Sequence, residues 1–267
     1  MRPILAAESV TELGDDARGA VLVAGSHGGL IACYLGATAG VHALILNDAG
    51  VGLDDAGIAG LSQLDAIGMA AVTVSHLSAR IGDGQDSLAR GVISHVNAAA
   101  ANAGVVVGMR AREAALMLRH APAAHSAPAP YADGRWQQGM QAVTEIWALD
   151  SVGKLVPEDD GRILVIGSHG GLHGGRPDSA LNLYRCPVAA RAVAFNDAGG
   201  GADDAGFTRL PELDARGVAA VTVSAASARI GDGRSMFASG LISRANAVAV
   251  RDGARIGAML GAWLGRL

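Results

Sequence analysis

The stretch Val21-Leu22-Val23-Ala24-Gly25-Ser26-His27-Gly28-Gly29-Leu30 is met again, little changed, as Ile163-Leu164-Val165-Ile166-Gly167-Ser168-His169-Gly170-Gly171-Leu172. Each begins with a short apolar run that breaks at Gly-Ser-His-Gly-Gly. Such a run reads as a buried strand, and the Ala-rich stretch after the first, Leu30 to Ala39, reads as a helix. Two more segments repeat in the same order. Asn47-Asp48-Ala49-Gly50 returns as Asn196-Asp197-Ala198-Gly199, and Ser78-Ala79-Arg80-Ile81-Gly82-Asp83-Gly84 returns unchanged as Ser227-Ala228-Arg229-Ile230-Gly231-Asp232-Gly233.

The copies are offset by 142 residues at the His motif and by 149 from the Asn-Asp motif onward. Seven residues are therefore inserted in the second copy between His173 and Ala190, around Arg176-Pro177-Asp178, which reads as a surface loop. The period is too long for a solenoid or a propeller blade. The expectation is an α/β protein of two homologous three- to four-stranded parallel α/β units, from an internal duplication, related by a pseudo-twofold axis. The first unit spans 1–118 and the second 146–267. Residues 119–145 form an Ala/Pro-rich linker, His120 to Tyr131, and a connecting helix over Gln137–Glu145.

Within each unit, strands are expected at Val21–Ala24, Ala43–Leu46 and Ala71–Ser75, and at Ile163–Ile166, Ala192–Phe195 and Ala220–Ser224. Glu8–Leu13 and Asp150–Leu155 are candidates for one more strand each. Asp54-Asp55 and Asp203-Asp204 stand where a helix starts, as caps. A final helix is expected over Ser87–Ala101 and Met236–Val250, with Ser94 and Asn97, like Ser243 and Asn246, on one face. Strand alternating with helix implies parallel strands.

Composition narrows the function classes. Half of the 267 residues are hydrophobic but only 3% are aromatic, and 38 are glycine, so the core is built of small aliphatic side chains. The net charge is −4 with no basic block, which argues against nucleic acid. The apolar runs are too short for a membrane span, and the Met1 end shows no signal peptide, so a cytoplasmic protein is expected. Cys33 and Cys186 fall at different places in their copies and read as small buried hydrophobes. No Walker A loop, Gly-x-Gly-x-x-Gly, His-Glu-x-x-His or Cys-x-x-Cys is present. A strand ending in Ser-His-Gly is similar over those few residues to the histidine segment of caspase-fold peptidases. Those peptidases need a Cys after the next strand, where this chain has Asn47-Asp48.

All three repeated motifs follow a strand. In an open parallel sheet they would share the carboxyl edge, where ligands bind. His27 and His169 are expected to be acid/base groups, with Asp48 and Asp197 as their partners or as water activators. Gly28/Gly29 and Gly170/Gly171 would form an oxyanion hole at a helix start. Arg80 and Arg229 would clamp an anion, a role that competes with an ion pair to Asp83 or Asp232. Ser26, Asn47, Ser168 and Asn196 complete the candidate binding residues. The expected function is a small-molecule hydrolase acting on an amide, ester or ring carbonyl of an anionic substrate. A lyase or isomerase that stabilises an enolate, or a non-catalytic binder of a phosphate or carboxylate metabolite, fits the same residues. No cofactor is required, though Asp48, Asp54 and Asp83 leave room for Mg or Mn. A small anionic metabolite is the expected partner, and a homo-oligomer stays open. His76 faces Ala225 in the alignment and His95 faces Arg244, so the copies are not equal.

Overall fold

Apolar runs and the glycines that end them set up two mixed sheets. The computed structural model describes residues 1–141, 144–175 and 189–267. The first sheet contains β1 (Ile4–Ala7), β2 (Val21–His27), β3 (Ala43–Asn47), β4 (Ala71–Val74) and β5 (Ile93–Val96), in that spatial order. The second contains β6 (Arg135–Gln141), β7 (Thr144–Leu149), β8 (Ile163–His169), β9 (Ala192–Asn196), β10 (Ala219–Val223) and β11 (Ile242–Ala245), with spatial order β11-β10-β9-β8-β7-β6. β1 to β4 are parallel, as are β7 to β10. The chain is thus α/β, and no helix among the described residues is long and apolar enough to cross a membrane.

Among the described residues the helices are α1 (Leu30–Thr38), α2 (Gly60–Asp65), α3 (Gly84–Arg90), α4 (Ala98–Asn102) and α5 (Ala111–Leu118) beside the first sheet. Beside the second are α6 (Arg209–Ala215), α7 (Gly233–Ser239), α8 (Ala247–Arg251) and α9 (Leu260–Leu264). Each sheet is covered on both faces. Val21, Val23, Ile45 and Val72 pack with the α5 side, while Leu22, Leu44, Leu46 and Ala71 pack with the α1–α2 side. The alternation of these neighbours follows the period-2 rule of a strand. Burying such side chains contributes about 1.5–3 kcal/mol each.

The sequence expectation fails in four places. Ser87–Ala101 and Met236–Val250 are not single helices. Each breaks at glycine (Gly91, Gly240) and gives a helix, a strand antiparallel to its neighbour, and a short helix. Ser94 and Ser243 therefore lie on strands, while Asn97 and Asn246 cap α4 and α8 through Ala100 N–H and Ala249 N–H. The described part of Gln137–Glu145 is not helical: Gln137–Gln141 lies in β6 and Thr144 and Glu145 in β7, an antiparallel pair that extends the second sheet. Glu8–Leu13 and Asp150–Leu155 are not strands. β1 and β7 end just before them, and short 3-10 turns follow. Asp54-Asp55 and Asp203-Asp204 make no cap bond and sit in the left-handed region, with φ of 54–56°. Most of the seven-residue insertion, Arg176-Pro177-Asp178 included, lies outside the described residues, as does Cys186.

The two repeats touch closely. Leu53 N–H donates to Ala225 O at 2.8 Å, and Ala202 N–H donates to His76 O at 2.7 Å. A Cβ on Gly50 would stand 2.9 Å from Gly199 Cα, and one on Gly199 would stand 2.9 Å from Gly50 Cα. Both have φ near +73°, so glycine is needed here for conformation and for space. Beside them Ala49, Ala56, Ile81, Ala198, Ala205 and Ile230 form one small apolar cluster with members from both repeats.

Candidate functional site

β2 does not stop at Ala24. It runs through Gly25 and Ser26 to His27, just as β8 runs to His169. The registers of β2 with β3 and of β8 with β9 shift here, which opposes His27 to Asn47 and His169 to Asn196. The strand ends thus carry the two histidines inward, and both are buried.

Ser26 and Asn47 hold loops. Ser26 Oγ accepts from Val10 N–H at 3.1 Å, and Ser168 Oγ accepts from Val152 N–H at 2.9 Å. Asn47 Oδ1 accepts from Ala49 N–H and its Nδ2 donates to Ala79 O, while Asn196 repeats both bonds with Ala198 and Ala228. These bonds pin each Ser-Ala-Arg-Ile-Gly-Asp-Gly loop to a strand end. The amides of Asn47 and Asn196 are thereby committed to the backbone.

The glycines do not form an oxyanion hole. Gly28 N–H donates to Asn47 O at 2.8 Å, and Gly29 N–H donates to His27 Nδ1 at 3.1 Å. Gly170 and Gly171 do the same with Asn196 O and His169 Nδ1. The N–H groups ahead of the first α1 bond, which Cys33 makes to Gly29 O at 3.1 Å, are those of Leu30, Ile31 and Ala32.

A ring whose Nδ1 accepts carries its proton on Nε2. Burial pushes the His27 imidazole down to about 4. His169 is held well below the ordinary value, by burial first and then by the nearby His173, Arg209 and His27. At neutral pH both are neutral rings with the proton on Nε2. A neutral donor polarises an oxygen; it does not take a proton at that atom.

Asp48 is not the partner of His27. Its Oδ1 accepts from His76 Nδ1 at 2.8 Å, from His76 N–H at 2.9 Å and from Gly50 N–H at 3.1 Å. These bonds hold its carboxyl below the usual range even though burial, the largest single influence, raises it. Asp197 Oδ1 accepts from Ala225 N–H and Gly199 N–H.

The arginine that shares a cavity with His27 comes from the other repeat. A cavity of about 200 Å³ is lined by His27, Leu30, Ile31, Asp54, Ala56, Ala59, Tyr131, Arg229, Ile230, Gly231 and Asp232. A Cβ on Gly231 would lie 3.5 Å from His27 Cε1 and 3.9 Å from Nε2. Arg229 donates to Asp54 at 2.8 Å and to Asp232 at 3.0 Å. Arg80 lies on the opposite side, with Asp83 at 3.0 Å, Asp86 at 3.2 Å and Asp203 at 3.2 Å. It belongs with His169, whose Cε1 is 3.4 Å from a Cβ built on Gly82.

The surroundings of His169 differ from those of His27. A 3-10 turn, His173–Gly175, follows the strand end, and Gly174 N–H donates to Gly82 O at 2.7 Å. The His173 ring meets the His169 ring edge-on at 5.7 Å. A narrow cavity of about 50 Å³, room for one or two waters by liquid volume, lies between the halves and is lined by Ser26, His27, Ser168, His169, His173 and Arg209 among others.

Asp83 and Asp232 are helix caps, accepting from Asp86 N–H and Ser235 N–H at 2.8 Å. Asp48, Asp54 and Asp83 each hold a different partner, so they form no cation site together. Among the described residues no group of three or more His, Cys, Asp or Glu is arranged to hold a metal. Tyr131 was missed by sequence reasoning. The only signal for it was a lone aromatic at the end of the Ala/Pro stretch in a chain poor in aromatics. Compared with family models, curated proteins and solved structures, this chain matches none.

Proposed function

We propose that the chain is a small-molecule enzyme that works at one composite cavity, where His27 of one repeat meets Arg229 of the other. In this reading the repeats arose by duplication, and a pseudo-twofold axis passes near Gly50 and Gly199. Reciprocal contacts support it: Arg229 with Asp54 and Arg80 with Asp203, Leu53 with Ala225 and Ala202 with His76. One copy of the site stayed open, and the other was filled by its own chain.

The observation that carries the proposal is the neutral His27, its Nδ1 tied to Gly29 N–H, on the wall of a cavity at the α1 N-terminus. Nε2–H and the helix start both favour oxygen that carries or gains negative charge. Arg229 would clamp a substrate carboxylate. Asp54, on the same wall, replaces Asp48 as the candidate for activating water. In hydrolysis, water would add to the carbonyl carbon, the C–N or C–O bond would break, and the water's proton would leave with the amine or alcohol. The substrate is then an amide, ester or ring carbonyl with an anionic group.

The same neutral imidazole favours a second reading, stabilisation of an enolate by a lyase or isomerase, because that chemistry needs an electrophilic donor rather than a base at this position. A screen of small amides, esters, cyclic imides and 2-oxo acids, each bearing a carboxylate, tests both. Turnover with wild type that falls at least 100-fold in His27→Ala supports the site. Binding of these compounds without turnover identifies a non-catalytic binder instead.

A further inference from the structure

We propose that Tyr131 is a ligand-contacting, specificity-determining residue of this cavity, its phenol O–H binding one oxygen of a small dicarboxylate or carboxylate-bearing carbonyl compound whose other end lies at His27. This rests on the composite-site reading above and goes further, because it names the second recognition point.

Four observations support it. Tyr131 lines the same cavity as His27, Arg229 and Asp232. The Ala/Pro connector that carries it is pinned at both ends. His125 N–H donates to Ile67 O at 2.9 Å, and beyond the tyrosine Gly134 N–H donates to Asp150 Oδ2 at 3.1 Å while Ser151 Oγ donates to Asp133 Oδ2 at 2.6 Å. Between those anchors Tyr131 reaches the cavity wall. The ring is backed by Tyr34 of α1, with centroids 6.3 Å apart. The connector lies between the two repeats, next to both halves of the composite cavity.

The chemistry fits a neutral donor. Burial, and then the carboxylates of Asp150, Asp133 and Asp232, push the phenol above its ordinary value, so it keeps its proton at neutral pH. A phenol that donates in a partly dry cavity discriminates strongly between a ligand with an oxygen there and one without.

The test uses malonate and acetate as probes, titrated by calorimetry at neutral pH, with His27 ring resonances reporting occupancy of the cavity. Wild type should bind malonate more tightly than acetate. Tyr131→Phe keeps the ring against Tyr34 and should weaken malonate about tenfold, acetate less than twofold, with an unchanged melting temperature. If Tyr131→Phe binds malonate as wild type does, Tyr131 is structural and the inference falls while the cavity reading stands. If wild type binds neither probe, or binds without moving the His27 resonances, the cavity reading itself is overturned and this inference with it.

Discussion

Arg229 Nη1 donates to Asp54 Oδ2 at 2.8 Å across the boundary between the repeats, and so builds one wall of the cavity that holds His27. The identical arginine, Arg80, is turned to Asp203 and the side of His169. Two residues that the sequence cannot distinguish are thus separated by packing. Arg229→Lys keeps the charge but loses the planar fork. Binding of a carboxylate ligand should weaken about tenfold in Arg229→Lys and less than twofold in Arg80→Lys. Calorimetric titration of both variants checks this, and the reverse order would place the working site beside His169.

Gly231 stands where His27 Nε2 faces the other repeat. Its φ is +79°, and a Cβ there would come within 3.5 Å of the imidazole. Gly231→Ala should cost about 1–2 kcal/mol of stability from the left-handed backbone alone and also narrow the cavity. Chemical denaturation measures the first effect and ligand titration the second. An alanine variant of wild-type stability and affinity would mean that the loop relaxes freely and does not shape the site.

The buried histidines should make the fold sensitive to acid. His27 is held at about 4 in the folded chain, against 6.5 when exposed. A depressed histidine binds more protons unfolded than folded, so the native state loses stability as pH falls from about 6.5 toward 4. The loss reaches about 3 kcal/mol for His27, and His169 acts in the same direction. Melting temperature against pH should fall steeply over that window in wild type and less steeply in His27→Gln. Parallel curves for the two proteins would refute the assignment.

Asp150 acts with the opposite sign. Burial, then Asp232 and Asp133, raise its carboxyl to about 6. A raised carboxyl binds more protons folded than unfolded, so its contribution is full below about 4 and is lost as pH rises through 6. Asp150→Asn, which keeps an oxygen for Gly134 N–H or Gly233 N–H, should therefore gain stability relative to wild type above pH 6 and lose that advantage at pH 4. A constant difference across the range would show that Asp150 does not titrate there.

β2, β3, β8 and β9 were legible because each is a short apolar run that ends at glycine or at Asn-Asp, β4 and β10 because they are rich in β-branched residues, and the three motifs do follow the ends of these strands. What the sequence hid was which half each loop serves. The Ser-Ala-Arg-Ile-Gly-Asp-Gly loops read the same in both copies, yet Gly231 faces His27 and Gly82 faces His169. Periodicity reports which face of an element is buried, not which neighbour buries it. The β6–β7 pair was misread because Gln137–Glu145 is polar and lacks clean alternation, and a long β5-side helix was expected because Gly91 and Gly240 were read through. The oxyanion-hole expectation failed for a local reason: Gly29 N–H is close enough to the His27 ring to bond it.

The two histidines should therefore differ in function although they match in sequence. His27 borders a cavity of about 200 Å³ whose walls carry Arg229, Asp54 and Tyr131. His169 borders the turn His173–Gly175, whose Gly174 N–H donates to Gly82 O in the loop that faces His169. Removing a positioned donor from an active site typically costs 100-fold or more in turnover. His27→Ala should lose about that much, and His169→Ala less than about tenfold, measured as kcat on whichever carboxylate-bearing amide, ester or 2-oxo acid the wild-type protein turns over. Thermal melting of both variants separates lost chemistry from lost fold. Equal losses in two well-folded variants would mean that the narrow cavity between the two rings, not the open one beside Arg229, is where the reaction happens.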